Sequence, residues 1–100
     1  MNLGGTIKNL RQQKGYNQRD FAIECEITPT YLSQLETNQK EPNLSKLHVF
    51  AKVLQIPLPV LFFLSLTPED IKPDKRKAYE LLGPSVKSLI NEFFTNTSQQ

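Results

Sequence analysis

Side chains able to do covalent or coordination chemistry are scarce in this chain of 100 residues. Cys25 is the single cysteine and His48 the single histidine, so no internal disulfide can form and the ligands of a zinc site cannot be assembled. Disulfide scaffolds and zinc fingers are excluded. The carboxylates do not cluster, and neither a Ser, His and Asp set nor a glycine-rich phosphate loop is present, so hydrolase and nuclease chemistry is discounted. The expectation is a protein that is not an enzyme, with no cofactor and no metal. Cys25 reads as a small core residue and His48 as a residue on the polar side of a helix. What remains is a dense group of short hydroxyl and amide side chains at Thr28, Thr30, Ser33, Gln34, Thr37, Asn38 and Gln39. Such groups give and accept hydrogen bonds without reacting.

The elements that position them are helical, because apolar residues recur at spacings of three and four and alternation of period two is nearly absent. Leu3, Ile7 and Leu10 make the stripe of a first helix over about 3–14, stopped at Gly15. Asn17 caps a second over about 18–25, Asp20 favours its positive end, and Tyr16 with Phe21 has the spacing of a hydrophobic staple. Thr28 followed by Pro29 starts a third over about 29–37, and Asn38 suits the left-handed turn after it. Asn43 caps a fourth, with Leu44, Leu47, Phe50, Ala51 and Leu54 on one stripe. Pro57 opens a short fifth helix through about Phe63.

A boundary is expected near residues 64–67, giving a first domain over 1–64 and a helical extension over 65–100. Thr67-Pro68-Glu69-Asp70 reads as a further capped start limited by Pro73. Helices over 75–82 and 84–94 are expected to be broken at Gly83-Pro84, with a frayed polar tail from Thr95.

Charge and hydropathy add limits. Net charge is +2, with seven Lys or Arg against five Asp or Glu in residues 1–63 and five of each thereafter. That permits nucleic-acid binding without arguing for it. The longest apolar run, Leu58 to Leu66, is interrupted by Pro59 and Ser65 and is about half of what a membrane span requires. Met1 to Gly5 lacks the layout of a secretion signal, so a cytosolic protein is expected. The triplets Asn43-Leu44-Ser45 and Asn96-Thr97-Ser98 therefore carry no weight as glycosylation sites.

The second and third helices are separated by only Glu26-Ile27-Thr28, and two short helices so joined must meet steeply, as in a helix-turn-helix. Phe21 and Cys25 face inward from one, Leu32 and Leu35 from the other, Ile27 plugs the turn, and Ala22 is small at the crossing. Here the sequence resembles the bacterial and phage repressor helix-turn-helix domains of the lambda and Cro type, also called the XRE family. The resemblance runs over about 6–63 and rests on Ile7, Leu10, Arg11, Lys14-Gly15, Gln18 to Ala22, Ile27 and Tyr31 to Glu36. Asn38, Lys40, Pro42, Leu47, Ala51, Leu54 and Leu61 extend it. It implies an all-α, five-helix lambda-repressor-like domain, here followed by a C-terminal helical extension. Three departures stand out: Glu26 and Asn38 occupy positions usually given to glycine, and Pro59-Val60 makes the fifth helix unusually apolar.

The resemblance implies a regulator of transcription, most simply a repressor, that reads double-stranded DNA in the major groove with its third helix as a homodimer on a palindromic operator. Base contacts are expected from Pro29, Thr30, Ser33 and Gln34. Gln34 can pair bidentately with adenine and Thr30 can meet a thymine methyl, and the lack of arginine on this face leans the reading toward A·T-rich sites. Backbone contacts are expected from Gln18, Arg19, Thr28, Tyr31, Thr37, Asn38, Gln39 and Lys40. Arg11 and Glu36 are expected to form an internal ion pair. Phe62, Phe63, Leu64, Leu66, Val86, Leu89, Ile90, Phe93 and Phe94 are the candidate dimer surface, with packing of the tail on its own domain as the competing account. An antitoxin-like module whose tail binds a toxin or another protein is the alternative function. Lys75-Arg76-Lys77 is bracketed by Asp74 and Glu80 and reads as a solvated face.

Overall fold

The computed structural model describes residues 1–95, and among them no strand occurs. The helices are α1 (Leu3–Gln13), α2 (Gln18–Glu24), α3 (Pro29–Glu36), α4 (Leu44–Leu54), α5 (Leu58–Ser65) and α6 (Arg76–Ile90). Two 3-10 turns, Pro68–Asp70 and Pro73–Lys75, lead into α6, and a π turn, Asn91–Thr95, follows it. α1 packs on both α3 and α5, α2 on α3, and α4 on α5. The chain bends by 101° between α4 and α5.

The helix starts follow from side-chain caps. Asn2, Asn17, Thr28 and Asn43 each accept from the backbone N–H three residues on, at 2.9, 2.7, 3.0 and 2.8 Å respectively. Each such cap is worth about 1 kcal/mol. The ends of α1 to α4 share one device. A residue in the left-handed region, Gly15, Glu26, Asn38 or Gln55, turns the chain at φ between 58° and 85°. Its N–H and the next one return to carbonyls of the last turn, as in Glu26 to Ile23 and Ile27 to Ala22. The hydrophobic staple forms as well, with the rings of Tyr16 and Phe21 5.4 Å apart and edge-on.

The core draws on α1 to α5 and the turns between them: Ile7 and Leu10, Phe21, Ala22 and Cys25, Leu32 and Leu35, Leu47, Phe50 and Leu54, Ile56 and Leu61. Phe21 stacks on Phe50 with ring centroids 5.9 Å apart, which ties the helix-turn-helix to the α4 support behind it.

The extension differs from expectation. The two helices expected over 75–82 and 84–94 are one continuous α6 to Ile90, with Pro84 inside it. Proline removes one N–H, crowds the carbonyl four residues back and disfavours the α region at the residue before it, whose Cβ meets its ring. Gly83 has no Cβ, which relieves the last of these. The capped start at Thr67 yields a single 3-10 turn, with the Thr67 N–H and hydroxyl donating to Asp70 at 2.8 and 3.1 Å. The expectation of a frayed tail falls, from residue 96 on, outside the described residues.

The chain from Ser65 on is tied to the N-terminus and α1 at several points. The Asn2 N–H donates to the Ser65 carbonyl at 2.7 Å, and the Met1 ammonium pairs with Asp70 at 2.8 Å. That ammonium holds the Asp70 carboxyl below the usual carboxylate range. Lys14 Nζ donates to the Phe94 carbonyl at 2.6 Å, while Arg76 Nε, donating to the carbonyls of Pro68 and Ile71, and Tyr79, donating to that of Leu66, hold the extension together internally.

Candidate nucleic-acid interface

α3 buries Leu32 and Leu35 and turns its opposite side outward. Pro29, Thr30 and Thr37 are exposed, while Tyr31, Ser33 and Gln34 are half-buried along the same edge. Proline at the first helical position and threonine at the cap leave the start of α3 rigid and its first polar side chain, Thr30, facing solvent.

The far end of α3 is clamped. Glu36 is 5 % exposed and Arg11 likewise, and they form a two-pronged pair: Arg11 Nε donates to Oε2 at 2.7 Å and Nη2 to Oε1 at 3.1 Å. Gln18 Nε2 donates to the same Oε1 at 2.9 Å, and Arg11 Nη1 donates to the Tyr16 carbonyl at 2.8 Å. α1, the start of α2 and the last turn of α3 therefore meet on one carboxylate. Bidentate charge-assisted bonds fix orientation as well as distance, which is what a presenting helix requires.

A second clamp was not legible in the sequence. A Cβ at Gly4 would come within 2.2 Å of the Leu35 carbonyl, so α1 reaches the end of α3 only because Gly4 has no side chain. Gly4 N–H donates to Asn38 Oδ1 at 3.1 Å, and Asn38 Nδ2 donates to Asn2 Oδ1 at 2.9 Å. Two consecutive glycines in α1 were the available signal, but nothing in the sequence says which neighbour approaches.

These bonds fix what each expected backbone-contact residue has left to offer. The Asn38 side chain holds the start of α1 with its Oδ1 and one amide hydrogen, and keeps its second amide hydrogen. The Thr37 hydroxyl donates back to the Ser33 carbonyl at 2.9 Å, which takes its proton out of play. Gln18 spends one amide hydrogen on Glu36 and keeps the other. Thr28 accepts from the Tyr31 N–H and keeps its own proton to donate. Arg19, Gln39 and Lys40 are exposed, and the Lys40 ammonium lies 5.7 Å from the centre of the Tyr31 ring. That cation–π contact holds a positive charge at the edge of α3.

The candidate dimer surface divides in two. Ile90 is buried, and Phe62, Leu64 and Phe94 pack against the core, so these four serve the chain's own packing. Phe63 and Leu66 are half-buried, whereas Val86 and Leu89 on α6 and Phe93 in the π turn after it stand exposed. Leu81 and Leu82, outside the expected dimer surface, are exposed on α6 as well. Among the described residues no group of His, Cys, Asp or Glu could hold a metal ion, and no single helix is long and apolar enough to cross a membrane.

Comparison with known families finds a match to the family described as helix-turn-helix over residues 7–61, more than half of the chain. The matched span ends within α5, so the extension lies beyond it. Comparisons with curated proteins and with solved structures returned no match.

Proposed function

The chain belongs to the XRE-type helix-turn-helix family of lambda-repressor-like DNA-binding regulators, and from that premise we propose that it is a sequence-specific repressor occupying a palindromic operator as a homodimer. In such proteins the second helix of the motif lies in the major groove with its N-terminal residues at the base edges. In this chain that helix is α3, and the observation that carries the reading is its solvent-facing edge of Pro29, Thr30, Ser33 and Gln34, mounted on the Arg11–Glu36–Gln18 clamp.

Each side chain has a role suited to its chemistry. Gln34 offers a donor and an acceptor to the N6 and N7 edge of adenine, and Thr30 and Ser33 donate to base edges or press on a thymine methyl. Pro29 contributes apolar contact. Thr28, Gln18, Arg19, Gln39 and Lys40 hold the phosphates on either side and set the register. One motif spans too few base pairs for selective binding in a genome, which is the argument for two copies on half-sites about one helical turn apart.

Selection of sites from a random duplex library at about 100 mM salt tests this. The native chain is expected to enrich one two-fold-symmetric, A·T-leaning site, and the Thr30→Ala, Gln34→Ala double variant to lose or broaden it. Absence of enrichment with the native chain overturns the reading. Equal enrichment by both proteins removes α3 as the reader.

A further inference from the structure

The turn after α3 carries two of the side chains offered to phosphates, Gln39 and Lys40, and little apolar packing seats it: Thr37, Asn38, Gln39, Lys40 and Glu41 are all exposed. Hydrogen bonds set its place instead. Asn38 turns the chain at φ 61°, and its N–H donates to the Leu35 carbonyl at 3.0 Å. The next two N–H groups, of Gln39 and Lys40, both donate to the Gln34 carbonyl, at 2.9 and 3.2 Å. The residue offered to a base and the two offered to phosphates therefore share one acceptor.

The Asn38 side chain ties this turn to another part of the molecule. Its Oδ1 accepts from the Gly4 N–H at 3.1 Å, and its Nδ2 donates at 2.9 Å to Asn2 Oδ1, the oxygen that also accepts the Gly5 N–H. Asn2 is itself anchored, because its N–H donates to the Ser65 carbonyl at 2.7 Å, and on the same side of the molecule the Thr6 hydroxyl donates to the Leu64 carbonyl at 3.3 Å. A continuous path thus runs from the last turn of α5 through the start of α1 to the end of α3. Asn2, Gly4, Leu64 and Ser65 lie outside residues 7–61, the span matched to the family. Glycine would serve a φ of 61° at least as well as asparagine, so what Asn38 adds to the turn is its side chain.

We propose that Asn2 and Asn38 are positioning residues for DNA binding: the pair braces the start of α1 against the turn after α3 and keeps Gln39 and Lys40 in register with Gln34. The proposal rests on the DNA-reading function above. Phosphate contacts place a reading helix without carrying sequence information, so their value lies in a fixed offset from the side chain that meets the base. With the brace in place, the Lys40 ammonium keeps its position 5.7 Å from the centre of the Tyr31 ring. Without it the turn retains its bonds to Gln34 but loses its outer support, and the freedom gained by residues 39–41 must be given up again on binding. Asn38 also keeps one amide hydrogen, so a direct bond from it to a phosphate is the competing role.

A double-mutant cycle on the intact chain separates the two. Asn38→Gly keeps the left-handed turn and removes both side-chain bonds. Asn2→Ser keeps a cap for Gly5, but its hydroxyl is too short to reach Asn38 as well. The native chain, both single variants and the double variant are titrated onto the duplex that the native chain enriches, at several salt concentrations and at a temperature where all four keep native helical circular dichroism. Each single variant is expected to melt within a few degrees of the native chain and to bind about five- to tenfold more weakly. The double variant is expected to bind no more weakly than the worse single one, because both substitutions break the same tie. The plot of log binding constant against log salt should become shallower by about one per subunit as Lys40 loses its fixed place. Losses that add overturn the brace and assign Asn38 a direct contact. Native affinity in either single variant, or an unchanged salt slope, also overturns the proposal. Failure of the brace leaves native binding intact, whereas a native chain that enriches no duplex overturns the DNA-reading function and this proposal with it.

Discussion

At the residue scale the decisive group is the Glu36 carboxylate. It is buried, accepts from Arg11 twice and from Gln18 once, and joins three helices in the place where α3 ends. Removing one member strands a buried charge, so Arg11→Ala or Glu36→Ala should each cost about 3 to 5 kcal/mol in a denaturant melt. Arg11→Lys should recover only part, because an ammonium cannot make the two-pronged contact. Cys25 makes a different prediction. Burial pushes its thiol up to about 12 from an ordinary value near 9.0. A group whose folded pKa is raised contributes stability in full below its unfolded pKa and loses it as pH rises toward the folded value. Stability should therefore fall between about pH 9 and pH 12, and Cys25→Ala should lose part of that alkaline dependence. The same thiol should resist modification until the chain unfolds. The pairing of Arg11 with Glu36 could be anticipated because opposite charges sat at familiar positions, whereas the tie from Asn38 to Gly4 and Asn2 joins residues far apart in sequence whose types alone do not suggest one another.

At the scale of elements, helix starts were easier to read than helix ends. Asn17, Thr28 and Asn43 announce themselves because a short polar side chain caps by its own chemistry and needs no distant partner. The ends depend on a left-handed residue, and only Gly15 and Asn38 have the types that favour it. Glu26 and Gln55 adopt φ of 58° and 60° without that advantage, held by the apolar residue that follows each, Ile27 and Ile56, which packs inward. Packing there outweighs a local cost on the order of 1 kcal/mol. Glu26→Gly should return about that amount and raise the melting temperature by several degrees, with the helix-turn-helix unchanged. A destabilised variant would show that the Glu26 side chain has a role beyond the turn. α6 teaches the converse: Gly83 and Pro84 each read as a breaker, yet in this order the glycine removes one steric objection to the proline.

At the scale of the whole molecule the charge is modest, and this limits how DNA can be held. Net charge is +2, and the cations beside α3 are chiefly Arg19 and Lys40, supported by neutral donors such as Thr28 and Gln39. Counterion release then predicts a moderate salt dependence, about two to four phosphates per subunit, from a plot of log binding constant against log salt. A slope several times steeper would mean that Lys72, Lys75 and Lys77 of the extension also reach the duplex. The molecule measures 41 × 36 × 19 Å, and Lys87 and Asn91 of the α6 region border a groove with Thr6, Asn9 and Gln13 of α1.

The sequence by itself determined the helical class, the starts of α1 to α5 and the face of α3 turned to solvent. These follow from periodicity and capping, interactions confined to a few neighbouring residues. The tertiary structure decided how α3 is mounted, which polar side chains are already spent, and that Ile90 and Phe94 turn inward while Leu82, Val86 and Leu89 do not. Those outcomes depend on which surfaces meet across tens of residues, where every apolar side chain of α6 has the same tendency to be buried and only the packing of whole helices determines which of them are.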